Sequence, residues 1–225
     1  MMRMFFPEKI KNIKKNDYVL EIGPGGTPFN RSDVFLELKY DNEAVFRMQR
    51  GNTEKLVTDK PIFYYDGQHF PFSNKEFDYV ICSHVLEHVE NLPFFLSELF
   101  RITDKGYIEY PTILYEYLYN INVHINILKL NDNKLYYIKK NQTKLANFLP
   151  IQSFFLQTLE NGVNSFINDL KEYMFEGFEW NDPFEYQETK DISKLVWKNF
   201  TIHRDQIRDS NFSTKIIKRL FFNDK

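Results

Sequence analysis

Side chains that can accept or donate protons at neutral pH stand where apolar stretches of the sequence end. His84 follows the stretch 77–82, and Glu109 lies within the stretch 106–110. His124 begins a later stretch, at the mouth of a predicted hairpin. Histidine and glutamate are common general bases for deprotonating a hydroxyl nucleophile. We therefore take His84, His124 and Glu109 as the candidate catalytic residues, although each can also cap, pack or hydrogen-bond within the fold.

A metal site is a second interpretation of the same histidines. His84 and His88 are four residues apart, which would place both on one face of a helix. This spacing can bind a metal ion, but no matching acid–histidine pattern accompanies it. The single cysteine, Cys82, excludes a multi-cysteine site. We expect no metal, and we expect Glu87 and His88 to pack or hydrogen-bond within a helix.

A glycine-rich loop follows the apolar stretch 18–22 directly and reads Glu21-Ile22-Gly23-Pro24-Gly25-Gly26. Glycines allow a tight turn and let the backbone approach a ligand without a Cβ in the way. Glu37 closes the next stretch, 34–38, where a carboxylate can accept hydrogen bonds from ribose hydroxyls. Asp66 follows 61–65, where a carboxylate can accept from an adenine amino group. The pattern predicts a nucleoside site.

Each of these three features also has a plain structural explanation. Gly-Pro-Gly-Gly can form a tight turn without a ligand, and Asp66 with Gly67 can open an Asp-Gly turn. Glu37 can face solvent at a strand end, and Asp41 competes with it for the role of the ribose acid.

A dehydrogenase is the alternative from another cofactor class. Its fingerprint needs G-x-G-x-x-G leading into a helix, whereas Pro28 occupies the last glycine position here.

The elements that must position these residues are predicted from hydrophobic periodicity. Short apolar stretches at 18–22, 34–38, 61–65, 77–82 and 106–110 predict five strands. Apolar residues at three- and four-residue spacing predict a helix across 92–100. Strands separated by helices favour a mostly parallel sheet. The ten or so residues between the first two strands leave the crossover helix there short or missing.

The pattern changes after Pro111. Stretches 124–130 and 134–140 predict a β-hairpin, and residues from about 144 to 175 look helical, with breaks at Pro150 and Gly162. The predicted fold class is α/β: a Rossmann-like, mostly parallel sheet with a C-terminal β-hairpin and helical extension. We expect one domain over 1–225, with a cofactor-binding half at about 1–115 and the acceptor side at about 116–225.

Composition limits the partners. Hydrophobic residues make up 43% of the 225 residues, and the net charge of −2 gives no overall attraction for nucleic acid. No apolar run approaches the roughly 20 residues that span a bilayer, and the amino terminus does not read as a signal peptide. We expect a cytoplasmic protein that has a small-molecule partner and is unlikely to bind nucleic acid. The sequence leaves open whether the chain forms a homodimer.

The order of these motifs resembles the class I S-adenosylmethionine (SAM)-dependent methyltransferases. It is most similar to small bacterial enzymes that carry LEIGPG and FDYVICSHVLEHV, the second of which occupies 77–89 here. The matching residues run from Tyr18 to Pro111. The resemblance implies SAM as cofactor and S-adenosylhomocysteine as product. A departure from the family is Thr27-Pro28, where many members continue with another glycine and a helix.

The resemblance also implies a role for individual residues. In the family, the glycine loop holds the methionine part of the cofactor and approaches its ribose, and the acidic residue of the second strand binds the ribose. The turn after the third strand binds the adenine side. The end of the fourth strand faces both cofactor and substrate. The corresponding cofactor-binding residues are Glu21, Gly23, Gly25, Gly26, Glu37, Asp66, Gly67 and Ser83.

Three functions remain open. The first is methyl transfer from SAM to a small molecule, through an oxygen of a sugar or nucleotide-linked sugar in surface polysaccharide biosynthesis. The second is an RNA or protein methyltransferase, which would show a basic stripe beside the acceptor pocket, with Lys134, Lys139, Lys140 and Lys144 as the available residues. The third is a non-catalytic SAM-binding or regulatory protein, which the altered Thr27-Pro28 loop permits.

Overall fold

The computed structural model describes residues 4–40, 56–163 and 165–197. A six-stranded sheet and a three-stranded sheet account for the described strands. The larger sheet contains β1 (Val19–Ile22), β2 (Val34–Leu38), β3 (Ile62–Tyr65), β4 (Tyr79–Ser83), β5 (Gly106–Pro111) and β8 (Phe175–Trp180). The smaller sheet contains β6 (Asn126–Asn131), β7 (Lys134–Lys139) and β9 (Glu185–Glu188).

Helices connect and cover these strands. The described α-helices are α1 (Leu92–Ile102), α2 (Ile113–Tyr119), α3 (Leu149–Glu160), α4 (Ser165–Asp169) and α5 (Lys171–Met174). Short 3₁₀ turns occupy Pro7–Lys9, Leu86–His88, Lys140–Gln142, Leu145–Phe148 and Ile192–Leu195. Among these described helices, none is both long and apolar enough to cross a membrane.

The strand order in the larger sheet is β3-β2-β1-β4-β5-β8. The first five strands run parallel, and β8 pairs antiparallel with β5 at the edge. The direction of the chain across the sheet reverses between β1 and β4, and open sheets of this kind bind ligands beyond the carboxyl ends of the strands at that point. The fold is therefore the predicted α/β architecture with a mostly parallel sheet, and the five predicted strands are confirmed.

The parallel strands at the centre of the sheet are buried on both faces, as their near-continuous apolar sequences require. All four residues of β1 and all six of β5 are buried. One face packs against α1 and the smaller sheet. Along the other face, Val19, Tyr79 and Tyr107 pack against the N-terminal segment, including Met4. The N-terminal segment thus covers a face of the sheet next to the strand ends where a ligand would bind.

Helix α1 follows the predicted amphipathic pattern. The side chain of Asn91 accepts a hydrogen bond from the Phe94 backbone N–H at 3.2 Å, and a proline lies in the first turn. Its inward side includes the buried residues Leu92, Leu96 and Leu99. On the same helix, Glu98 and Arg101 pair through two hydrogen bonds, and the Phe70 backbone N–H donates to Glu98, so the helix also holds the turn that follows β3.

The first crossover and the hairpin follow the sequence prediction. The described chain between β1 and β2 contains no helix, because it passes through the glycine loop and returns within eleven residues. Strands β6 and β7 pair antiparallel. Asp132 and Asn133 form their turn with φ of 52° and 60°, which is the left-handed backbone that a two-residue type I′ hairpin needs.

The region after β7 differs from the prediction, which contains neither β8 nor β9. Pro150 lies in the first turn of α3 and Gly162 follows its end with φ of 79°, so both residues mark helix boundaries. The predicted helical stretch to about 175 gives way to β8, a strand that the sequence pattern does not predict. Its sequence, Phe-Glu-Gly-Phe-Glu-Trp, carries a glycine and two glutamates and gives a weak strand pattern. Residues 198–225, with the basic C-terminal tail, lie outside the described residues.

Candidate functional site

A cleft of about 980 Å³ lies along the carboxyl ends of β1 to β4. This volume is typical of pockets that bind small molecules and cofactors. One end is formed by the ends of β1, β2 and β3, and the other by the turn after β4, helix α2 and the start of β6. The lining includes Gly23, Glu37, Asp66 and Gly67 at the first end and Glu87, His88, Tyr115 and His124 at the second.

The glycine loop begins at Gly23, whose backbone N–H donates to the Leu36 carbonyl at 2.9 Å. Gly23 and Gly25 both have φ of 64°, a left-handed conformation that favours glycine. Gly26 is exposed on the same loop. This backbone leaves the strand end open toward the cleft without side chains in the way.

The carboxylate of Glu21 forms hydrogen bonds with the chain that follows the glycine loop. Its Oε2 accepts hydrogen bonds from the Phe29 backbone N–H at 2.9 Å and from the Ser32 hydroxyl at 2.7 Å. Burial raises the pKa of Glu21 to about 7, against the lowering effect of those two donors. Glu21 also lines a second cavity of about 280 Å³ on the far side of the loop, together with Thr27 and Ser83.

Two acidic residues stand at neighbouring strand ends within the cleft. Glu37 is nearly buried, at 7% exposure, and lies opposite Tyr64 in the β2–β3 register. Asp66 is exposed at the rim, and its Oδ1 accepts a hydrogen bond from the Gln68 backbone N–H at 3.1 Å. Together with Gly67, whose φ is 89°, this hydrogen bond forms the Asp-Gly turn that the sequence predicts as the alternative to adenine binding. The same turn lines the cleft. Asp41, the alternative to Glu37, lies outside the described residues.

Glu109 is fully buried and surrounded by hydrogen-bond donors. The backbone N–H groups of Phe5 and Phe6 donate to its two oxygens at 2.7 and 3.0 Å, and the Tyr107 hydroxyl donates at 2.6 Å. The His84 Nε2 lies 3.0 Å from Oε1. Burial opposes ionisation of Glu109, but His84 and the other donors hold its pKa below the usual value. This carboxylate binds the N-terminal segment to the end of β5 and is not part of the cleft lining.

His84 lies between two carboxylates. Its Nε2 faces Glu109 at 3.0 Å and its Nδ1 faces Glu87 at 3.5 Å. Burial disfavours the charged imidazole and lowers its pKa, but the effect of the two carboxylates is larger and raises the pKa of His84 to about 9. The ring also contacts Phe5 edge-on, and Phe5 stacks on Phe175. His84 has φ of 55° instead of a helical conformation, so His84 and His88 do not share a helix face.

Glu87, His88 and His124 form a cluster at the second end of the cleft. One potential ligand atom from each lies within 4.8 Å of the others. The sequence predicts a catalytic role for His124 and packing or hydrogen bonding for Glu87 and His88. It does not predict that they meet, because residues 86–88 and 124 are far apart along the chain. The Ile125 backbone N–H donates to the Glu87 carbonyl at 2.7 Å and brings the two segments together.

Asn126, the first residue of β6, holds this arrangement. Its side-chain amide donates to the carbonyls of Leu86 and Val89 at 2.8 and 2.7 Å. The Leu86–His88 turn is therefore fixed to the hairpin at both ends. The side chain of Asn126 thus adds to the link that the Ile125 backbone makes, but an asparagine at the start of a strand does not by itself indicate such a link in the sequence.

The tyrosines of α2 divide between pocket lining and packing. Tyr115 is buried, lines the cleft and lies near His124. Tyr119 packs beside Tyr115 at a ring separation of 4.8 Å. Tyr117 faces another side of the helix and contacts Phe148. The helix therefore contributes one aromatic wall to the second end of the cleft.

Comparison with known proteins finds a similarity for the central part of the chain. Residues 36–108, from β2 to β5, match the family model described as "Methyltransferase domain". No curated protein matches the chain.

Several solved structures are similar to part of this chain. A protein from Pyrococcus horikoshii OT3 is 20% identical over 49% of this chain and 57% of its own, with a TM-score of 0.37. The YcgJ protein from Bacillus subtilis is 17% identical over 49% of this chain and 53% of its own, with a TM-score of 0.36. A SAM-dependent methyltransferase from Mesorhizobium loti is 10% identical over 72% of this chain and 89% of its own, with a TM-score of 0.39.

The alignment spans little more than half the length of the first two of these structures. Residues 36–108 of this chain are therefore similar to a methyltransferase domain, a similarity that implies SAM as cofactor, and the strands of that segment carry the cleft at their carboxyl ends.

Proposed function

We propose that the chain is a cytoplasmic enzyme that transfers a methyl group from SAM to an oxygen of a small-molecule acceptor, a sugar or nucleotide-linked sugar of surface polysaccharide biosynthesis. The observation that carries this proposal is the shape of the cleft. One continuous space of about 980 Å³ joins the strand ends suited to a nucleoside with a polar cluster suited to a hydroxyl acceptor.

The first end of the cleft fits SAM. Gly23, Gly25 and Gly26 present backbone without side chains, and Glu37 offers a nearly buried carboxylate for the ribose hydroxyls. Asp66 and Gly67 line the rim of the cleft, where we place the adenine. Glu21 shapes the loop from beneath, and Ser83 lines the small cavity behind it, so we assign both to holding the methionine side of the site.

Bound SAM supplies an electrophilic methyl group: the acceptor oxygen forms a bond to the methyl carbon, the carbon–sulfur bond breaks with its electron pair left on sulfur, and the acceptor loses its hydroxyl proton. The chain must therefore exclude water, align the acceptor and provide for that proton. His124 is a candidate catalytic residue that lines the cleft. Its Nδ1 is engaged by Glu116 at 2.5 Å, which leaves Nε2 for the acceptor.

We assign His84 and Glu109 to positioning. Both ring nitrogens of His84 face carboxylates, and the oxygens of Glu109 accept from the N-terminal segment and Tyr107. Together they connect the end of β4, the end of β5 and Phe5. Glu109 does not line the cleft, and His84 lines it with its ring enclosed between the two carboxylates, so we expect both residues to affect the shape of the site.

Three of the four lysines named for an RNA-binding stripe make contacts within the fold. Lys134 pairs with Glu185 at 2.8 Å, Lys139 donates to the Glu90 carbonyl, and Lys140 lies 3.1 Å from Glu116. Their charges are partly neutralised or directed at the backbone, which favours a small acceptor over a polyanion.

The test uses the purified full chain. Calorimetry with SAM and with S-adenosylhomocysteine comes first, and incubation with labelled SAM and a panel of nucleotide-linked sugars follows. We expect binding of both cofactor forms and transfer of label to a sugar. Transfer confined to RNA or protein would overturn the acceptor class. Absence of binding by both cofactor forms would overturn the enzymatic function itself.

A further inference from the structure

The cluster of Glu87, His88 and His124 contains a carboxylate that the fold leaves without hydrogen bonds. Glu87 is 1% exposed, and neither of its oxygens has a hydrogen-bond partner among the residues that the structure describes. Its nearest ion-pair neighbours are His84 Nδ1 at 3.5 Å and His88 Nε2 at 4.0 Å. His84 is close enough to interact with the charge of Glu87, but both Glu87 oxygens keep hydrogen-bonding capacity that a further ligand can fill.

The two imidazoles of the cluster are oriented by their outer nitrogens. His88 Nδ1 lies 3.1 Å from the Val123 carbonyl, and a carbonyl can only accept, so Nδ1 carries the hydrogen. His124 Nδ1 lies 2.5 Å from Glu116, which is itself held by Lys140 at 3.1 Å. In both rings the nitrogen left with a lone pair is therefore Nε2. Metal-binding histidines are held in the same way, by a backbone carbonyl or a carboxylate on the other nitrogen.

From this geometry we propose that Glu87, His88 and His124 bind one divalent transition-metal ion at the acceptor end of the cleft. Two imidazoles and one carboxylate are a donor set that suits Zn²⁺, Fe²⁺, Co²⁺ or Ni²⁺. At metal–ligand distances of about 2.0–2.2 Å the ligand atoms lie roughly 3–3.5 Å apart, so ligand atoms that now lie within 4.8 Å of one another move closer by up to about 1.3–1.8 Å on binding.

Three protein ligands leave coordination positions open toward the cleft, where Tyr115 and Val123 also line the wall. Acceptor hydroxyl oxygens can occupy those positions, and a bound cation lowers the pKa of an oxygen that it holds. With the ion bound, the ion would replace His124 Nε2 as the group that activates the acceptor hydroxyl. This role rests on the proposed function, whereas the metal site itself does not. Asn126 fixes the Leu86–His88 turn to the hairpin, so the ligands are held in place before the ion arrives.

The test is a titration of the metal-free full chain with Co²⁺ alone, followed by visible absorption, and with Zn²⁺ in competition. We expect about one equivalent of Co²⁺ with d–d bands, displaced by Zn²⁺. Glu87→Gln and His124→Asn each weaken Co²⁺ binding by about tenfold or more, and Glu116→Gln, which touches no ion, weakens it by about 10–100-fold. His69→Asn is the matched control, because this imidazole is 75% exposed and lies outside the cluster.

Circular dichroism of each variant separates loss of a ligand from loss of the fold. Absence of Co²⁺ binding by the native chain, or equal binding by folded Glu87→Gln and His124→Asn, would overturn the site. Calorimetry with S-adenosylhomocysteine on the metal-free protein reports on the proposed function separately. A chain that binds this product but no Co²⁺ retains the proposed function and loses the metal site, and a chain that binds Co²⁺ but neither cofactor form shows the reverse.

Discussion

The imidazole of His124 and the carboxylate of Glu116 form a buried pair, with 2.5 Å between Nδ1 and Oε1. Glu116 lies on α2 and His124 precedes β6, so the pair joins the helical cover of the cleft to the smaller sheet. Lys140, directly after β7, reaches the other oxygen of Glu116 at 3.1 Å. One carboxylate thereby orients a ring that faces the cleft and neutralises a lysine beside it.

Replacing Glu116 with alanine should lower the free energy of unfolding by roughly 3–5 kcal/mol, because it leaves the charge of Lys140 largely buried and unpaired. Urea unfolding measures this change. Glu185→Ala is the control, since Glu185 forms a comparable pair with Lys134 at 2.8 Å but is largely exposed, and it should alter stability little. Equal losses in the two variants would show that Glu116 does not have the role assigned to it.

Glu37 gives a prediction for cofactor affinity. If its carboxylate accepts from the ribose hydroxyls, Glu37→Gln should weaken S-adenosylhomocysteine binding by about tenfold or more, which is the scale of a charged hydrogen bond. Calorimetry on the folded variant measures it. The same substitution at Glu8, on the exposed Pro7–Lys9 turn, serves as control. An unchanged dissociation constant in Glu37→Gln would remove Glu37 from the site.

Much of this arrangement could be predicted from the sequence, because it depends on local patterns. The five parallel strands are short apolar stretches, and the hairpin turn carries Asp132 and Asn133, which tolerate a left-handed backbone. The cleft position then follows from sheet topology. Gly23, Glu37 and Asp66 line it, as expected of residues at strand ends.

The remainder depends on contacts between distant segments. The meeting of Glu87 with His124 requires the hydrogen bonds of Ile125 and of Asn126, which reaches back 40 residues to Leu86, and no periodicity encodes them. Likewise, the strand-end position of Glu109 suggests access to a substrate, whereas the N-terminal backbone at Phe5 and Phe6 encloses it. The sequence does not reveal β8 because its pairing with β5 outweighs a weak local strand preference.

Glu21 predicts a particular pH dependence of stability. Burial raises its pKa in the folded chain to about 7, above the unfolded value near 4.5, so its protonated form is favoured in the fold. The stability contribution is complete below pH 4.5 and falls as the pH rises toward 7. Glu21→Gln keeps an acceptor for Phe29 and Ser32 but cannot ionise. At about pH 8 it should therefore be more stable than the native chain, by up to roughly 3 kcal/mol, and close to it at about pH 4.5.

Urea unfolding of both proteins between about pH 4.5 and pH 8 measures the effect, with Glu76→Gln, an exposed residue, as control for the general response to losing a carboxylate. A constant difference between native chain and Glu21→Gln over this range would contradict the raised pKa. A native chain that gains stability over Glu21→Gln as the pH rises would reverse its sign.

Gly177 gives a prediction about the support of Glu109. A Cβ at this position would lie 2.1 Å from the Tyr107 hydroxyl and 2.8 Å from its ring carbon Cζ. Gly177→Ala should therefore displace the hydroxyl that donates to Glu109 at 2.6 Å and lower the free energy of unfolding by roughly 1–3 kcal/mol or more. Tyr107→Phe removes the hydroxyl itself, and the double variant should lose less than the sum of the two single losses.

The cycle is completed by thermal and urea unfolding of the native chain, the two single variants and the double variant. The control Gly162→Ala tests the alternative that any methyl group added at a glycine is destabilising. Gly162 has φ of 79°, and a Cβ added there would meet nothing within 4 Å, so its penalty comes from the backbone alone and should be insensitive to Tyr107→Phe. Strict additivity between Gly177→Ala and Tyr107→Phe would mean that the glycine does not make room for the tyrosine, and that the buried Glu109 is supported by its other donors.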